Sequence, residues 1–407
     1  MEPSAALLLL DVSQRTRLRR RALHTAQIQA SKPPIYLYKG QPMTFFRSIK
    51  ENLKSVKNYE PGKPLEELER EYGVKNAVKM ASNENALGPS PKAVAAARKA
   101  LRRVHRYPDG GCFYLRSKLA KVLKVLGDQL VFGNGSDEIL VFAVRAFVGR
   151  GDEVIIADPT FLIYEIAAQV EDGSVVKVPM RSFHYDLEGM RRRIGSKTKL
   201  IFIANPDNPV GTYVKGPALL RFLKAVPKNV VVVLDEAYYE FAREAFGYPD
   251  SLALLKTFEN LIVTRTFSKA YGLSGLRVGY GVMSPEMARG LNKVREPFNV
   301  NLVAQEAAIA ALDDHAHLKR TLRMVVEGRE YLYRELKKLG VACVETATNF
   351  ILADLKQDAR SVYERLLKKG VIVRPMGVWG LDTFLRVTIG KSQDNRRFIQ
   401  ALKESMK

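Results

Sequence analysis

The fold of this 407-residue chain is decided by the stretch Leu261-Ile-Val-Thr-Arg-Thr-Phe-Ser-Lys269-Ala-Tyr-Gly-Leu-Ser-Gly275-Leu-Arg277. Residues 261–264, Leu-Ile-Val-Thr, are mostly apolar and mostly β-branched, which predicts a strand of a buried sheet. Lys269 follows the strand end among small and hydroxyl side chains, where partial desolvation would lower the pKa of its amine and favour an imine with an aldehyde. Arg277 could hold a phosphate in the same pocket, beside the hydroxyls of Thr266 and Ser268. Because a lone lysine after a strand is more often a solvated surface residue, the wider sequence decides between the two roles.

The surrounding pattern predicts an α/β fold. Helix and strand signals alternate from about residue 86 onward, which favours a mostly parallel central sheet flanked by helices. The run Val230-Val-Val-Val-Leu234 is typical of a strand covered on both faces. After Glu296 the pattern changes to long helices and then to short strands, which predicts a smaller C-terminal α+β domain. We expect a disordered basic extension over residues 1–42, an N-terminal arm and small-domain segment over 43–85, a large domain over 86–296 and a small domain over 297–407.

The composition restricts the possible partners. The formal net charge of +22 attracts anions, which include nucleic acids, phosphorylated small molecules and carboxylates. Basic residues are spread along the whole chain instead of being grouped with aromatic residues on one element, so we expect no nucleic-acid partner. No stretch approaches the roughly 18 apolar residues that cross a bilayer, so we expect no membrane partner. Cys112 and Cys343 are too few for a disulfide framework or a zinc site, so we expect no metal and a reducing, cytoplasmic location.

The first 42 residues differ from the remainder because basic side chains greatly outnumber the acidic Glu2 and Asp11. Such a segment is compatible with an organelle transit peptide. The alternative is an extension translated from an upstream start, with Met43 opening the folded part. We favour the second interpretation, because no clear Arg-rich amphipathic helix is visible.

Three further segments place polar groups at strand ends or turns. Asp235 follows the apolar run that ends at Leu234, and a buried carboxylate there needs a cationic or hydrogen-bonding partner unless it only caps a helix or turn. The prolines of Asn205-Pro-Asp-Asn208-Pro-Val-Gly211 restrict the backbone, so the amide of Asn208 is held rigidly. Gly133-Asn-Gly-Ser136-Asp137 opens an apolar helix, where free N–H groups either bind an anion or form an ordinary N-cap.

Taken together, these segments resemble the fold type I aminotransferases that depend on pyridoxal phosphate, in the branch that contains the histidinol-phosphate aminotransferases. The resemblance runs from about Tyr59 to the C-terminus. Besides the segments above, it is carried by Tyr59-Glu-Pro-Gly, Asn83-Glu-Asn85-Ala-Leu-Gly-Pro, His105-Arg-Tyr107-Pro, Asp158-Pro-Thr-Phe161-Leu-Ile-Tyr164, Asp235-Glu-Ala-Tyr238, Val371-Ile-Val-Arg374-Pro and Leu385-Arg386-Val-Thr-Ile-Gly390. The chain departs from the family pattern at Ala86, where Pro is usual, at Val210, where Thr is commoner, and at Phe161, where the usual Tyr would carry a hydroxyl.

The resemblance implies a role for each cofactor residue. Lys269 would carry pyridoxal phosphate as a Schiff base, and Asp235 would keep the pyridine nitrogen protonated. Tyr238 and Asn208 would donate to the phenolic oxygen, and Phe161 would stack on the ring. Tyr164 is interpreted as a core aromatic residue. The phosphate would be held by the backbone of Ser136 and Asp137, the side chains of Thr266, Ser268 and Arg277, and Tyr107 from the neighbouring subunit.

The resemblance also implies the substrates and a homodimer with shared active sites. Arg386, Arg374 and Asn85 would bind substrate, with Tyr59 contacting it across the dimer interface. Because arginine suits carboxylate and phosphate alike, one pocket could take both substrates of a two-stage reaction. The implied reaction moves the amino group between L-histidinol phosphate and 2-oxoglutarate, giving imidazole-acetol phosphate and glutamate, in histidine biosynthesis.

Alternatives remain open at this point. An aromatic amino-acid aminotransferase and a threonine-phosphate decarboxylase share much of the same set of motifs. A basic nucleic-acid-binding protein that merely retains the fold belongs to a different class. It would explain the charge but not the complete set of cofactor residues.

Overall fold

The computed structural model describes residues 48–406. The chain divides into two units, the second of which spans Ser55–Lys407. In the first unit the described residues include a 3-10 turn, Glu51–Lys54. The predicted extension over residues 1–42 lies outside the described residues.

The strands of the described part are numbered in chain order. They are β1 Val78–Lys79, β2 Leu130–Gly133, β3 Glu153–Asp158, β4 Ser174–Pro179, β5 Thr198–Ala204, β6 Val231–Asp235, β7 Leu261–Thr266, β8 Gly279–Val282, β9 Ala342–Cys343, β10 Phe350–Asp354, β11 Val371–Ile372, β12 Arg374–Met376 and β13 Leu381–Thr388. Seven of them form the central sheet in the order β2-β8-β7-β6-β5-β3-β4. All neighbouring pairs are parallel except those made by β8, so the predicted mostly parallel sheet is confirmed.

Apolar residues cover both faces of this sheet. Alternate side chains of a strand point to opposite faces, so Val232 and Leu234 of β6 join one core cluster. Val231 and Val233 join the other cluster. Helices pack on the sheet because each face must be removed from water. Between residues 48 and 312 the described helices are Leu65–Tyr72, Pro91–Ala100, Phe113–Leu123, Ser136–Phe147, Leu162–Val170, Leu187–Arg192, Gly216–Ala225, Tyr239–Ala242, Ser251–Leu254, Pro285–Lys293 and Leu302–Leu312. The first of them contributes Leu68 to a different core cluster, that of the smaller part of the protein described below.

The strand register brings the predicted polar groups to one edge. Asp235 at the end of β6 lies opposite Ala204 of β5 and opposite Thr264 of β7. Because these strands are parallel, the segments that follow them begin at the same edge of the sheet. That edge is where ligands bind in open α/β sheets.

A smaller assembly of strands and helices follows. It contains the antiparallel sheet β12-β13-β10-β9 and the two-stranded sheet β1-β11. Helices His315–Lys338, Ala359–Lys368 and Ser392–Ser405 contribute Leu332, Leu366 and Phe398 to its core. Because β1 pairs in parallel with β11, the segment before residue 86 joins this part of the protein. The exact domain limits stay a prediction.

Strand β8 was not predicted. It lies antiparallel between β2 and β7, and it contains Gly279 and Gly281, which weaken strand propensity. At Gly279 a side-chain carbon would collide with the backbone of Ser136, so close approach to the start of helix Ser136–Phe147 explains the glycine. Within residues 48–406 no helix combines the length and apolar character that crossing a membrane requires.

Candidate active site

A cavity of about 250 Å³ lies at the edge where β5, β6 and β7 end. Most of the residues predicted from sequence line it. They are Tyr59, Ser136, Asp137, Phe161, Asn208, Asp235, Tyr238, Thr266, Ser268, Lys269, Arg277, Arg374 and Arg386. In the described part of the chain, no group of His, Cys, Asp and Glu side chains is arranged to hold a metal ion.

Lys269 lies in the turn after β7 and points its amine into this cavity. Its Nζ donates to the carbonyl of Ser82 at 3.3 Å and lies 5.8 Å from the centre of the Tyr238 ring. Burial lowers the pKa of Lys269 to about 8, and the positive charges of Arg386 and Arg277 act in the same direction. A larger share of the amine is therefore neutral near neutral pH than in a solvated lysine, which is the form that attacks a carbonyl carbon.

Asp235 is the buried carboxylate of the cavity, at the end of β6. It accepts hydrogen bonds from the hydroxyl of Tyr164 at 2.8 Å, the hydroxyl of Thr264 at 3.0 Å and the backbone N–H of Ala237 at 3.2 Å. Burial raises the pKa of Asp235 to about 6, although these donors oppose the shift. Among residues 48–406 it has no Lys or Arg within ion-pair distance. The carboxylate therefore suits a cationic ligand group such as a pyridinium nitrogen.

Tyr238 and Asn208 are both held by neighbours. The hydroxyl of Tyr238 accepts a hydrogen bond from Nδ2 of Asn83 at 2.8 Å, and burial raises the pKa of Tyr238 well above its usual value. Oδ1 of Asn208 accepts from Arg386, which leaves the amide N–H groups of Asn208 as donors. Two donors, one hydroxyl and one amide, are thus available for a ligand oxygen.

The start of helix Ser136–Phe147 presents backbone N–H groups toward the cavity. Gly135 precedes it with φ of 89°, and no side chain caps the first turn in the described structure. The guanidinium of Arg277 donates to the hydroxyl of Ser268 at 3.3 Å and lies 3.5 Å from a carboxylate oxygen of Asp137. A side-chain carbon at Gly135 would overlap this guanidinium. Free N–H groups, the helix dipole and Arg277 together favour a phosphate.

Two further arginines, Arg374 and Arg386, lie in the cavity wall with 8% and 6% of their surface exposed. Arg374 donates to the carbonyl of Glu60 at 2.6 Å, and Arg386 donates to the carbonyl of Ala81 at 2.8 Å. Nε of Arg386 has no hydrogen-bond partner in the part of the chain that the structure describes, and burial lowers the pKa of this residue. Within the described residues neither guanidinium forms an ion pair with a carboxylate. Because buried cations without a counter-charge are costly, this wall is suited to an anionic substrate group.

Phe161 and Tyr164 come from the same segment, and both line the cavity. Their rings meet edge to face, with ring centres 5.6 Å apart. Tyr164 is buried and stacks on Phe202, as expected of a core aromatic residue, yet its hydroxyl also reaches Asp235. The sequence interpretation missed this contact. A signal for it was available, because a tyrosine interpreted as a core residue needs a hydrogen-bond partner for its hydroxyl.

The substrate role of Asn85 stays a prediction. This residue does not line the cavity. Its Nδ2 donates to the carbonyl of Ala270 at 2.9 Å and to the hydroxyl of Thr321 at 3.0 Å. Through these two contacts Asn85 holds the turn that carries Lys269.

Two tyrosines were predicted to act across a dimer interface. Tyr59 lies in the wall of its own chain's cavity, and its contact with a neighbouring subunit's substrate stays a prediction. Tyr107 lies outside that wall, with 83% of its surface exposed, and stacks on Phe298 with ring centres 4.8 Å apart. Its role at a neighbouring subunit's site stays a prediction.

Comparisons with known proteins agree with this geometry. The family model for aminotransferase class I and II matches residues 75–402. Histidinol-phosphate aminotransferase of Moorella thermoacetica is 52% identical over 365 residues, which cover 89% of this chain and 94% of that protein. That of an Anaeromyxobacter species is 47% identical, with 86% and 97% covered. The crystal structure of histidinol-phosphate aminotransferase from Sinorhizobium meliloti in complex with pyridoxal-5'-phosphate has a TM-score of 0.83 and 31% identity, and the alignment covers 90% of this chain and 99% of that chain.

Proposed function

The chain belongs to the family of class I and II aminotransferases, and from this premise we propose that it transfers the amino group between L-histidinol phosphate and 2-oxoglutarate. The observation that carries the proposal is the pair of buried arginines, Arg374 and Arg386, in the same cavity as Lys269. Both substrates carry an anionic group, a phosphate in one and carboxylates in the other. Guanidinium groups bind either kind of anion through paired hydrogen bonds.

The cofactor of the proposed reaction is pyridoxal phosphate, and the cavity fits it at both ends. Asp235 has no cationic partner among residues 48–406 and suits the ring nitrogen. Arg277, Ser268 and the uncapped start of helix Ser136–Phe147 suit the phosphate. When bound, the cofactor supplies a carbonyl and an electron-accepting ring.

We assign the remaining chemistry to the residues around Lys269. Its amine, with a pKa of about 8, would hold the cofactor covalently until the substrate amine displaces it, and the freed amine would then move a proton between substrate carbon and cofactor carbon. Asp235 would stabilise positive charge on the ring nitrogen. Tyr238 and Asn208 would donate to the phenolic oxygen, and Phe161 would pack against the ring. Arg374 and Arg386 orient the substrate so that its amino-bearing carbon faces Lys269.

The two arginines of the cavity wall also bear on the two alternative activities. The phosphate of histidinol phosphate carries about two negative charges and can neutralise both buried guanidinium groups. The carboxylate of an aromatic amino acid carries a single charge and would leave one guanidinium without a counter-charge, which costs free energy. Phosphothreonine has a phosphate and a carboxylate, so charge alone does not disfavour it. The relatives with the highest identities reported above are aminotransferases, which favours transamination over decarboxylation.

The proposal includes a homodimer with shared active sites. Tyr107, Phe298, Phe113 and Tyr114 are large aromatic residues that expose between 45% and 83% of their surface. Exposed aromatic groups near one another are typical of protein interfaces. A cytoplasmic location is proposed on the ground that Cys112 and Cys343 are both free thiols.

A panel of amino donors tests the function. L-histidinol phosphate, aromatic amino acids and phosphothreonine are compared at saturating 2-oxoglutarate, with glutamate and carbon dioxide both measured. We expect histidinol phosphate to have the highest kcat/KM. An ordinary aromatic donor should be at least about tenfold poorer, because one lost charge contact costs roughly 1.4 kcal/mol or more. A faster aromatic donor, or carbon dioxide released from phosphothreonine, would replace the proposal by the corresponding alternative.

A further inference from the structure

Trp379, the only tryptophan of the chain, joins two parts of the active site without lining the cavity. It ends the 3-10 turn Gly377–Trp379 between β12 and β13. Its indole N–H donates to the backbone carbonyl of Thr160 at 2.8 Å. The guanidinium carbon of Arg374 lies 5.6 Å from the centre of its ring. Trp379 therefore contacts both Arg374 of the small antiparallel sheet and the loop that follows β3 of the central sheet.

Each of these two contacts involves a residue that lines the cavity or directly precedes one that does. Arg374 itself lines the cavity, and Thr160 is followed by Phe161, which also lines it. The loop is fixed on its other side as well, because the hydroxyl of Thr160 donates to the buried carboxylate of Asp207 at 2.6 Å. The carbonyl of Thr160 is thus the place where this loop is attached to Trp379.

Arg374 depends on this neighbour more than an ordinary arginine would. In the described structure its hydrogen bond goes to a backbone carbonyl, that of Glu60, and no carboxylate pairs with it. The ring face of Trp379 is a second contact that restricts the orientation of the planar guanidinium. A guanidinium held in this way loses less conformational freedom when an anion binds.

We infer that Trp379 is a positioning residue that holds Arg374 ready for the substrate anion and at the same time fixes the loop of Phe161. The inference rests on the proposed role of Arg374 in substrate binding. The ring face acts on the anion site, and the indole N–H acts on the loop. The two effects are therefore separable by substitution.

Two variants separate them. Trp379→Phe keeps an aromatic face toward Arg374 and loses the N–H donor, whereas Trp379→Leu loses both. The matched control is Phe384→Leu, because Phe384 packs in the same small apolar cluster as Trp379. Phe384 has its aromatic contact with Phe183 and has no cation contact in the described structure.

The first measurement is the dissociation constant of 2-oxoglutarate for the protein loaded with pyridoxal phosphate, a form that has no amino group to give. We expect Trp379→Leu to weaken binding by about threefold to thirtyfold, the range of a cation–π contact. Trp379→Phe and Phe384→Leu should stay within about threefold of the parent, and kcat of Trp379→Leu should change less than its KM for 2-oxoglutarate. Release of pyridoxal phosphate should be faster in both Trp379 variants than in Phe384→Leu.

The inference is overturned if Trp379→Leu, with the circular dichroism of the parent, binds 2-oxoglutarate as tightly as Phe384→Leu does. It is also overturned if Trp379→Phe releases the cofactor no faster than the parent. Arg374→Ala is measured in parallel. If that variant binds 2-oxoglutarate normally, the proposed role of Arg374 fails, and the inference fails with it. If Arg374→Ala is weakened and Trp379→Leu is not, only the inference fails.

Discussion

The hydroxyl of Tyr164 donates a 2.8 Å hydrogen bond to Oδ2 of Asp235, so a residue of the hydrophobic core also contacts the candidate active site. Tyr164 stacks on Phe202, which fixes the position of its ring. The packing of the core therefore holds the hydroxyl of Tyr164 within hydrogen-bonding distance of the Asp235 carboxylate. The contact favours the ionised form of Asp235, against the burial that raises its pKa to about 6.

Tyr164→Phe should make cofactor binding fail at a higher pH than in the parent. The ionised form of Asp235 is needed to pair with a ring cation, so binding is lost as pH falls through the pKa of Asp235. Removing a donor to the carboxylate raises that pKa further. We call the pH range over which binding is lost on acidification the acid limb. Its midpoint should move upward by about one to two pH units, because a hydrogen bond to a charged group is worth roughly 1.5–3 kcal/mol and one pKa unit roughly 1.4 kcal/mol. The measurement is the affinity of the cofactor-free protein for pyridoxal phosphate between pH 5 and 8.

Tyr185→Phe is the control for this experiment. Tyr185 is partly buried, and its hydroxyl donates to a different carboxylate, Asp207, at 2.9 Å. Its acid limb should coincide with that of the parent. If the acid limb of Tyr164→Phe has the same midpoint as that of the parent, the Tyr164 hydroxyl does not affect the ionisation of Asp235.

The positive charge of Arg386 should control when Lys269 becomes reactive. Burial lowers the pKa of Lys269 to about 8, with Arg386 as the next cause, and only the neutral amine attacks a carbonyl. The rate at which the cofactor-free protein takes up pyridoxal phosphate should therefore rise with pH through about 8. In Arg386→Gln the pKa of Lys269 is less depressed, so the midpoint of this rise should move to higher pH.

The matched control is Arg329→Gln, since Arg329 donates to the carbonyl of Thr346 and lies outside the cavity wall. Its midpoint should equal that of the parent. A midpoint that stays fixed or falls in Arg386→Gln would mean that Arg386 does not act on Lys269 through its charge.

Sharing of active sites between subunits can be tested with mixed dimers. Tyr107 lies outside the cavity wall of its own chain, and Lys269 lies inside it. If Tyr107 serves the neighbouring subunit, a dimer of one Tyr107→Ala chain and one Lys269→Ala chain contains one intact site. Co-refolded mixtures should therefore exceed the summed activity of the two separate variants. Co-refolding allows the chains to exchange freely.

The control mixture combines Lys269→Ala with Asp235→Asn. Both residues line the cavity of one chain, so each site of that mixed dimer lacks one of them, and no activity should be gained. A lack of gain in the Tyr107 mixture, with mixed dimers shown to form, would assign Tyr107 to its own chain's site or to none.

Much of the fold was predictable because strands buried on both faces leave a strong pattern. The valine run of β6 and the apolar start of β7 predicted the strands whose ends carry Asp235 and the lysine turn. Strand β8 was missed because two of its residues are glycines, needed where the chain approaches the start of helix Ser136–Phe147. Local propensity cannot show such an approach, because it depends on residues distant in sequence.

The site was predictable where a residue sits at a strand end or in a rigid turn, and less so elsewhere. Lys269, Asp235 and Asn208 are such residues, and all three line the cavity. Asn83 and Asn85 are neighbours in one loop, and the sequence alone could not tell which amide faces inward. The structure shows that Asn83 reaches Tyr238, whereas Asn85 is turned toward Ala270.

The central claim is that Lys269 carries the cofactor. Its most direct test is borohydride reduction of the protein loaded with pyridoxal phosphate, followed by peptide mapping by mass spectrometry. We expect the pyridoxyl group on the peptide that contains Lys269, and on no other peptide in stoichiometric amount. The Lys269→Ala variant should remain unlabelled. Stoichiometric labelling of another lysine, or undiminished labelling of Lys269→Ala, would contradict the assignment.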